Sequence, residues 1–368
     1  MPTASLLPPD SFQEILSRLP PELDLDVLAR STRAIERSRK VADGKTLLRL
    51  ALARGPGGLS LNQTAAWAAM SGLAKLSDPA LKKCLDKAVP FLKALMEQQL
   101  AERAGCTAIR WPGRSLRMVD GTCVNQPASK GTDWKVHAGY DLGSGGFFHL
   151  ELTDNHGAED IGRGVPVPGE IRAGDRNYAN AGALHAFREQ SGGQADFIVR
   201  ARWKSFVLRQ ADGTPFDLIS HLRTLPVDKQ PHEVAVIARV SGTQGLPLRL
   251  IIQRNSPEAT ENTRRYLRRN ASRRRKALDP RTVVAAEFLI LATSLPADDY
   301  PSEDVLSVYR LRWQIELAFK RLKSLLHIDL LPTRTPAASR SWLYTHLVLA
   351  LLCDDLSQEV LESSPSGP

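Results

Sequence analysis

Apolar residues in the first third of the chain recur at intervals of three and four, the period of amphipathic helices. Phe12, Ile15 and Leu16 share one face, and Leu47, Leu48, Leu50, Ala51 and Leu52 make a second run closed by Gly55-Pro56-Gly57-Gly58. Ser60 is placed to cap a third helix through Trp67, and Ser77-Asp78-Pro79 opens a fourth that runs to about Arg103. Residues 1–10, rich in Pro, read as loose. Short helices around a Gly-rich turn fit a helix-turn-helix-like unit, and equally a plain bundle without DNA contact.

Near Cys106 the period changes to two. Ser115 to Val124, Trp134 to Asp141 and Gly146 to Thr153 read as strands, the last two joined by a hairpin at Leu142-Gly143-Ser144-Gly145. Ile171 to Asp175 is a short fourth strand, Asn180 to Gln190 a helix, and Asp196 to Arg202 a fifth strand. This order predicts a mixed α/β core. No glycine-rich phosphate loop follows any strand, which excludes a P-loop or Rossmann nucleotide site. Residues 203–282 interrupt the pattern with short alternating segments and a basic stretch, and read as a mostly β insertion. An apolar strand from Val283 to Thr293, a helix at 303–326 and a last helix from Ser339 to Leu356 complete the pattern, with Ser357 to Pro368 as a tail. The domains expected are 1–107 (helical), 108–202 with 283–330 (catalytic core), 203–282 (insertion) and 331–368 (C-terminal helix and tail).

The helix at 303–326 carries the most telling polar pattern. At 100° per residue, Tyr309, Arg312, Glu316 and Lys323 lie within about 60° of one another. Val308, Leu311, Ile315, Ala318 and Leu322 form the neighbouring apolar seam. One carboxylate bracketed by cations beside a buried seam suits a site that holds a metal and a phosphate together. Asp120, in Val119-Asp120-Gly121-Thr122, and Asp175, in Gly174-Asp175-Arg176-Asn177-Tyr178, each end an apolar strand. Taken singly they are ordinary turn or capping aspartates. With Glu316 they make an all-oxygen ligand set, which favours Mg²⁺ or Mn²⁺ over zinc. Two such ions roughly 4 Å apart activate a water or a 3′-hydroxyl and stabilise the departing oxygen in phosphoryl transfer.

Charge adds a partner. The net charge is +9, and nine Lys/Arg against one acid between Arg264 and Arg281 supply +8 of it. Such a block is a solvated arm or a contact for a DNA backbone, and Arg273, Arg274 and Arg275 are its densest part. The four cysteines have no paired spacing, so neither a zinc site nor a disulfide framework is indicated, and a cytosolic setting is expected. No signal peptide or spanning segment is read, the longest apolar run (Leu343 to Cys353) being too short for a bilayer. His137 and His149, in strands, are taken as hydrogen-bonded surface groups.

Together these residues resemble the acid-triad (D-D-E) transposases of bacterial insertion sequences, and more closely the insertion-sequence-four family. That family carries a Tyr-(2)-Arg-(3)-Glu-(6)-Lys signature, which Tyr309, Arg312, Glu316 and Lys323 match without a gap. Asn177 stands where the family's second-acid motif usually has glycine, and Asn tolerates a positive φ better than most residues. Family members that form a DNA hairpin often stack a flipped base on a Trp of the β insertion, and here no Trp lies between Trp203 and Trp313.

The resemblance implies an RNase H-like core in which Asp120, Asp175 and Glu316 are catalytic and hold two Mg²⁺ ions, with Mn²⁺ able to substitute. Tyr309, Arg312 and Lys323 would hold phosphates near the cut. The expected activity is cut-and-paste transposition: endonuclease cleavage at the element ends, then strand transfer. The expected partners are double-stranded DNA, as terminal inverted repeats read by the N-terminal helices and as target, and a second copy in a homodimer. The expected location is the cytoplasm, on the nucleoid. The rival readings are a catalytically silent repressor bound to the terminal repeats, and an RNase H-fold nuclease of another class.

Overall fold

The computed structural model describes residues 11–37, 40–101, 103, 111–129 and 131–363. The Pro-rich start (1–10), Cys106 and the last residues of the expected tail lie outside them. Among the described residues six helices come first: α1 (Ser11–Ser17), α2 (Leu25–Ser31), α3 (Gly44–Arg54), α4 (Leu61–Met70), α5 (Asp78–Lys87) and α6 (Val89–Ala101). Asp24 and Asp43 cap α2 and α3 with their carboxylates, and Ser60 with Gln63 forms a reciprocal capping box on α4. The single helix expected from Ser77 to Arg103 is two. α5 ends on Ala88, and Pro90, which lacks an N–H, is accommodated in the first turn of α6.

The core strands are β1 (Ser115–Val124), β2 (Trp134–Asp141), β3 (Gly146–Asp154), β4 (Glu170–Gly174) and β5 (Asp196–Arg200), with α7 (Ala181–Gln190) between the last two. The 203–282 region contributes β6 (Leu208–Arg209), α8 (Leu218–Thr224), β7 (His232–Ala238), β8 (Leu246–Arg254) and α9 (Pro257–Arg273), and α10 (Pro280–Ala285) leads into β9 (Phe288–Thr293). The chain closes with α11 (Ser302–Arg310), α12 (Trp313–Leu326) and α13 (Pro336–Ser363). The segment after Val283, read as one strand, thus begins as a short helix, with Asp279 capping it and Pro280 in its first turn.

All strands among the described residues join one nine-stranded sheet in the order β3-β2-β1-β4-β5-β9-β8-β7-β6. β1, β2 and β3 form an antiparallel meander, and β4 and β5 run parallel to β1. That order and those directions are those of an RNase H-like sheet. The strands of the insertion continue the same sheet, because β8 pairs with β9 over Arg249 to Arg254. The insertion also carries helices that strand alternation does not announce.

The two-residue period of the strands sorts side chains onto two cores. Met118, Ile171, Ala173, Ile198, Ile251 and Leu291 face one core with the N-terminal helices, α11, α12 and α13. Val119, Phe197, Val199, Leu250, Ile252 and Ala292 face the other, with α7 and α8. α13 lies against α3, α5, α6, β3 and α12 through Leu343, Leu347, Val348 and Leu351, so the last helix and the first helices share one core. On the other face, Arg117 and Arg172 are buried with Glu170 and Asp141. Glu170 accepts from Arg117 at 2.8 Å and pairs with Arg172 at 2.9 Å. Arg172 also donates to the carbonyls of Ile161, Arg163, Gly164 and Val165, which pins the β3–β4 connection.

Candidate active site

Strand register brings the two aspartates together. Val119 of β1 lies opposite Gly174 of β4, so Asp120 and Asp175, one residue further on, stand side by side where β4 ends. Alternation from Met118 and Ala173 turns both carboxylates toward the face that carries α11 and α12. Gly174 allows the close approach: a Cβ there would sit 2.8 Å from the ring of Tyr178. Asp175 Oδ1 accepts from the N–H of Asn177 at 2.7 Å, which shapes the turn as an Asx turn. Asn177 does not take a positive φ, so the turn needs no glycine at this place. Its side chain instead accepts from Arg202 at 2.9 Å.

Asp120 is the electrostatically perturbed member. Its Oδ1 accepts from the N–H of Gly121 at 2.8 Å. Burial chiefly, with the charges of Asp175 and Glu159 adding, raises its pKa to about 6, against the pull of the Gly121 N–H and of Arg312. Two carboxylates set together without enough positive charge form an all-oxygen set that a hard divalent cation suits. Among the described residues no three His, Cys, Asp or Glu side chains already converge on one point. The acids meet as a pair on the sheet, and Glu316 faces Asp120 across an open cleft.

That cleft, of ≈ 470 Å³, is lined by Asp120, Gly121 and Thr122 of β1, by Glu316, Phe319, Lys320 and Lys323 of α12, and by Asp329. Glu316 accepts from Arg312 Nη2 at 2.5 Å. Tyr309 is buried at the end of α11, within electrostatic reach of Arg312, Arg200 and Asp175, and burial raises its pKa.

The helix expected across 303–326 does not run straight through this stretch. Leu311, Arg312, Gln314 and Ile315 each donate to the carbonyl three residues back, a tightened turn that separates α11 from α12. The turn swings Leu311 out of the expected seam to 38% exposure, and leaves Trp313 at 48%. Arg312 stands in this turn, and Tyr309 and Glu316 lie on different helices.

Arg273, Arg274 and Arg275 do not line the cleft. They close α9 as its last residue, its cap and a residue of φ 50°. His137 is buried, not a surface group; it shares a hydrogen bond with Thr153 Oγ1 at 2.9 Å, and burial lowers its pKa to about 4.

Sequence reasoning passed over Glu159, Arg200, Arg202, Lys320 and Asp329. Arg200 had a readable signal: it ends an apolar strand as Asp175 does, and pairing of Gly174 with Val199 sets it level with that aspartate. Glu159 and Asp329 lie in connections, where no periodicity marks them.

An RNase H-like sheet with paired aspartates at a strand end, an acid across a cleft and cations around them defines a metal-dependent enzyme that transfers phosphoryl groups in nucleic acid. Residues 111–353 match the family model described as Transposase DDE domain. The chain is 38% identical over 362 residues to the putative transposase InsL for insertion sequence element IS186A of Escherichia coli (strain K12), covering 97% of this chain and 96% of that one. The transposase for insertion sequence element IS421 of Escherichia coli is likewise 38% identical over 363 residues, covering 97% of this chain and 96% of the relative. A solved piggyBac transposase synaptic complex with hairpin DNA aligns with 95% of this chain and 73% of that chain at 10% identity and a TM-score of 0.47. The chain belongs to the DDE transposase family of bacterial insertion sequences. It is a transposase that acts on DNA and depends on divalent metal. Among the described residues no helix is long and apolar enough to cross a membrane.

Proposed function

We propose that this transposase cuts DNA at the ends of its own insertion element and joins the freed 3′ ends to target DNA, with Asp120, Asp175 and Glu316 as its catalytic carboxylates. The observation that carries this reading is the level placement of Asp120 and Asp175, with Glu316 across the same cleft from Asp120. Two Mg²⁺ ions, or Mn²⁺ in their place, held by these three residues would supply charge for the attacking and departing oxygens.

The chain's own groups do the rest. Arg312 offers a planar fork to a phosphate and holds Glu316 until DNA arrives. Lys323, on the cleft wall, supplies a point charge. Tyr309, buried within electrostatic reach of Arg312, helps to place it. The N-terminal helices read the terminal inverted repeats, Arg273, Arg274 and Arg275 contact DNA phosphates, and two copies bridge the two ends as a homodimer working on the nucleoid.

The test is cleavage of the DNA that flanks this reading frame, in Mg²⁺ and in Mn²⁺, by the native protein and by Glu316→Gln. Native protein is expected to nick at the element boundary, leaving 3′-hydroxyl ends. Glu316→Gln is expected to bind the same fragment and to lose about two orders of magnitude or more in rate. Undiminished cutting by Glu316→Gln would remove Glu316 from the site.

A further inference from the structure

α9 is unusual among the helices of this chain. It has seventeen residues, yet only Thr260 is buried. Its acids, Glu258 and Glu261, lie in the first two turns, and its cations fill the remainder. Arg265, Arg269 and Arg273 recur at four-residue intervals on an exposed strip, each step rising about 6 Å. Tyr266, 57% exposed, lies beside them. Arg275 takes the left-handed cap conformation (φ 50°) that usually falls to glycine, at a cost of roughly 1 kcal/mol, and so adds a guanidinium where a glycine would be easier. The helix is not a loose arm. Glu287, just before β9, accepts from Arg264 of α9 at 2.5 Å and from Arg254 of β8 at 2.6 Å, tying the helix to the sheet.

Topology gives this basic strip a position. β8 runs antiparallel to β9, and β9 antiparallel to β5, so β8 is parallel to β5, β4 and β1. The register carries a level row across the sheet: Asp120, Asp175, Arg200, Leu291 and Ile251. β8 ends at Arg254, beyond that row, and α9 begins at Pro257. The basic helix therefore leaves the sheet at the edge where the two aspartates stand. Four strand spacings separate β1 from β8, about 19 Å. Arg200 and Arg202 stand between, at the end of β5. At 3.4 Å per base pair, 19 Å is about six base pairs.

We propose that the exposed strip of α9, with Arg265, Arg269, Arg273 and Tyr266, grips the backbone of the same duplex that is cut at Asp120, beginning about six base pairs from the cut phosphodiester. This rests on the assignment of the cut to Asp120, Asp175 and Glu316. The strip sets the duplex's line of approach to the cleft, with Glu287 as the residue that fixes the angle of the helix.

The test is phosphate-ethylation interference with Glu316→Gln protein on a duplex taken from the DNA flanking the reading frame, with and without the added changes Arg265→Ala, Arg269→Ala and Arg273→Ala. Interference around the cut should remain, and the group beginning about six base pairs away should vanish. The slope of log K against log salt should fall by about 2.7, three contacts at about 0.9 each. Lysine at the same three positions should restore the slope, and unchanged thermal midpoints guard against misfolding. Identical interference patterns and slopes in both proteins would overturn the role of α9 and leave the cleavage site standing. Cutting by both Asp120→Asn and Glu316→Gln proteins would overturn the site itself, and the six-base-pair register with it.

Discussion

Replacing Asp120 by Asn should make the metal-free protein more stable at neutral pH, and the pH dependence of that gain identifies its cause. In the native chain this carboxyl titrates at about 6 instead of 3.8, first because it is buried and then because Asp175 and Glu159 are near. The unfolded chain releases the proton near 3.8, while the folded chain holds it until about 6. Between these values the folded state binds more protons, so stability falls as pH rises from about 4 to about 6, and the penalty persists above that range. About two pKa units at 1.36 kcal/mol each give an upper bound of about 3 kcal/mol. Asn cannot ionise, yet its carbonyl can still accept from the Gly121 N–H. The gain should therefore be near zero at pH 4 and reach about 1–3 kcal/mol at pH 7.5. Urea unfolding in EDTA at both values measures it, and Mn²⁺ should narrow the difference at pH 7.5 by stabilising the native carboxylate. A gain of equal size at both pH values, or an Asn variant weaker than native protein at pH 7.5, would refute the argument.

Two further outcomes follow from packing. Glu170→Gln removes the negative charge shared by two buried arginines, and should cost about 3–5 kcal/mol in denaturant unfolding. Gly174→Ala places a methyl 2.8–3.0 Å from the buried Tyr178 ring. It should cost about 1–3 kcal/mol and shift the turn that carries Asp175, so cleavage should fall further than stability accounts for; equal cleavage by the folded variant would mean that the turn tolerates the shift.

Much of the site was readable because its signals are local. Apolar runs that end in Asp120 and Asp175 mark strand ends, and four-residue spacing places Arg312 within reach of Glu316. The tightened turn at Leu311 and Arg312 left no mark, since no Gly or Pro announces it. α9 was silent for a different reason: with one buried residue it has no apolar face for periodicity to detect. The union of insertion and core in one sheet depends on β8 finding β9, a pairing that alternation within either strand does not specify. Glu159 and Asp329 come to the site through tertiary folding alone.

The position of α13 bears on how copies of such a gene decay. Because the final helix fills the core of the opening helices, a stop codon that removes it leaves Leu47, Leu81, Leu92 and their neighbours without a lid. A copy shortened in this way is expected to lose the packing of its amino-terminal helices and of the sheet face beneath them together. Copies truncated there are expected to expose this core and to be open to proteolysis.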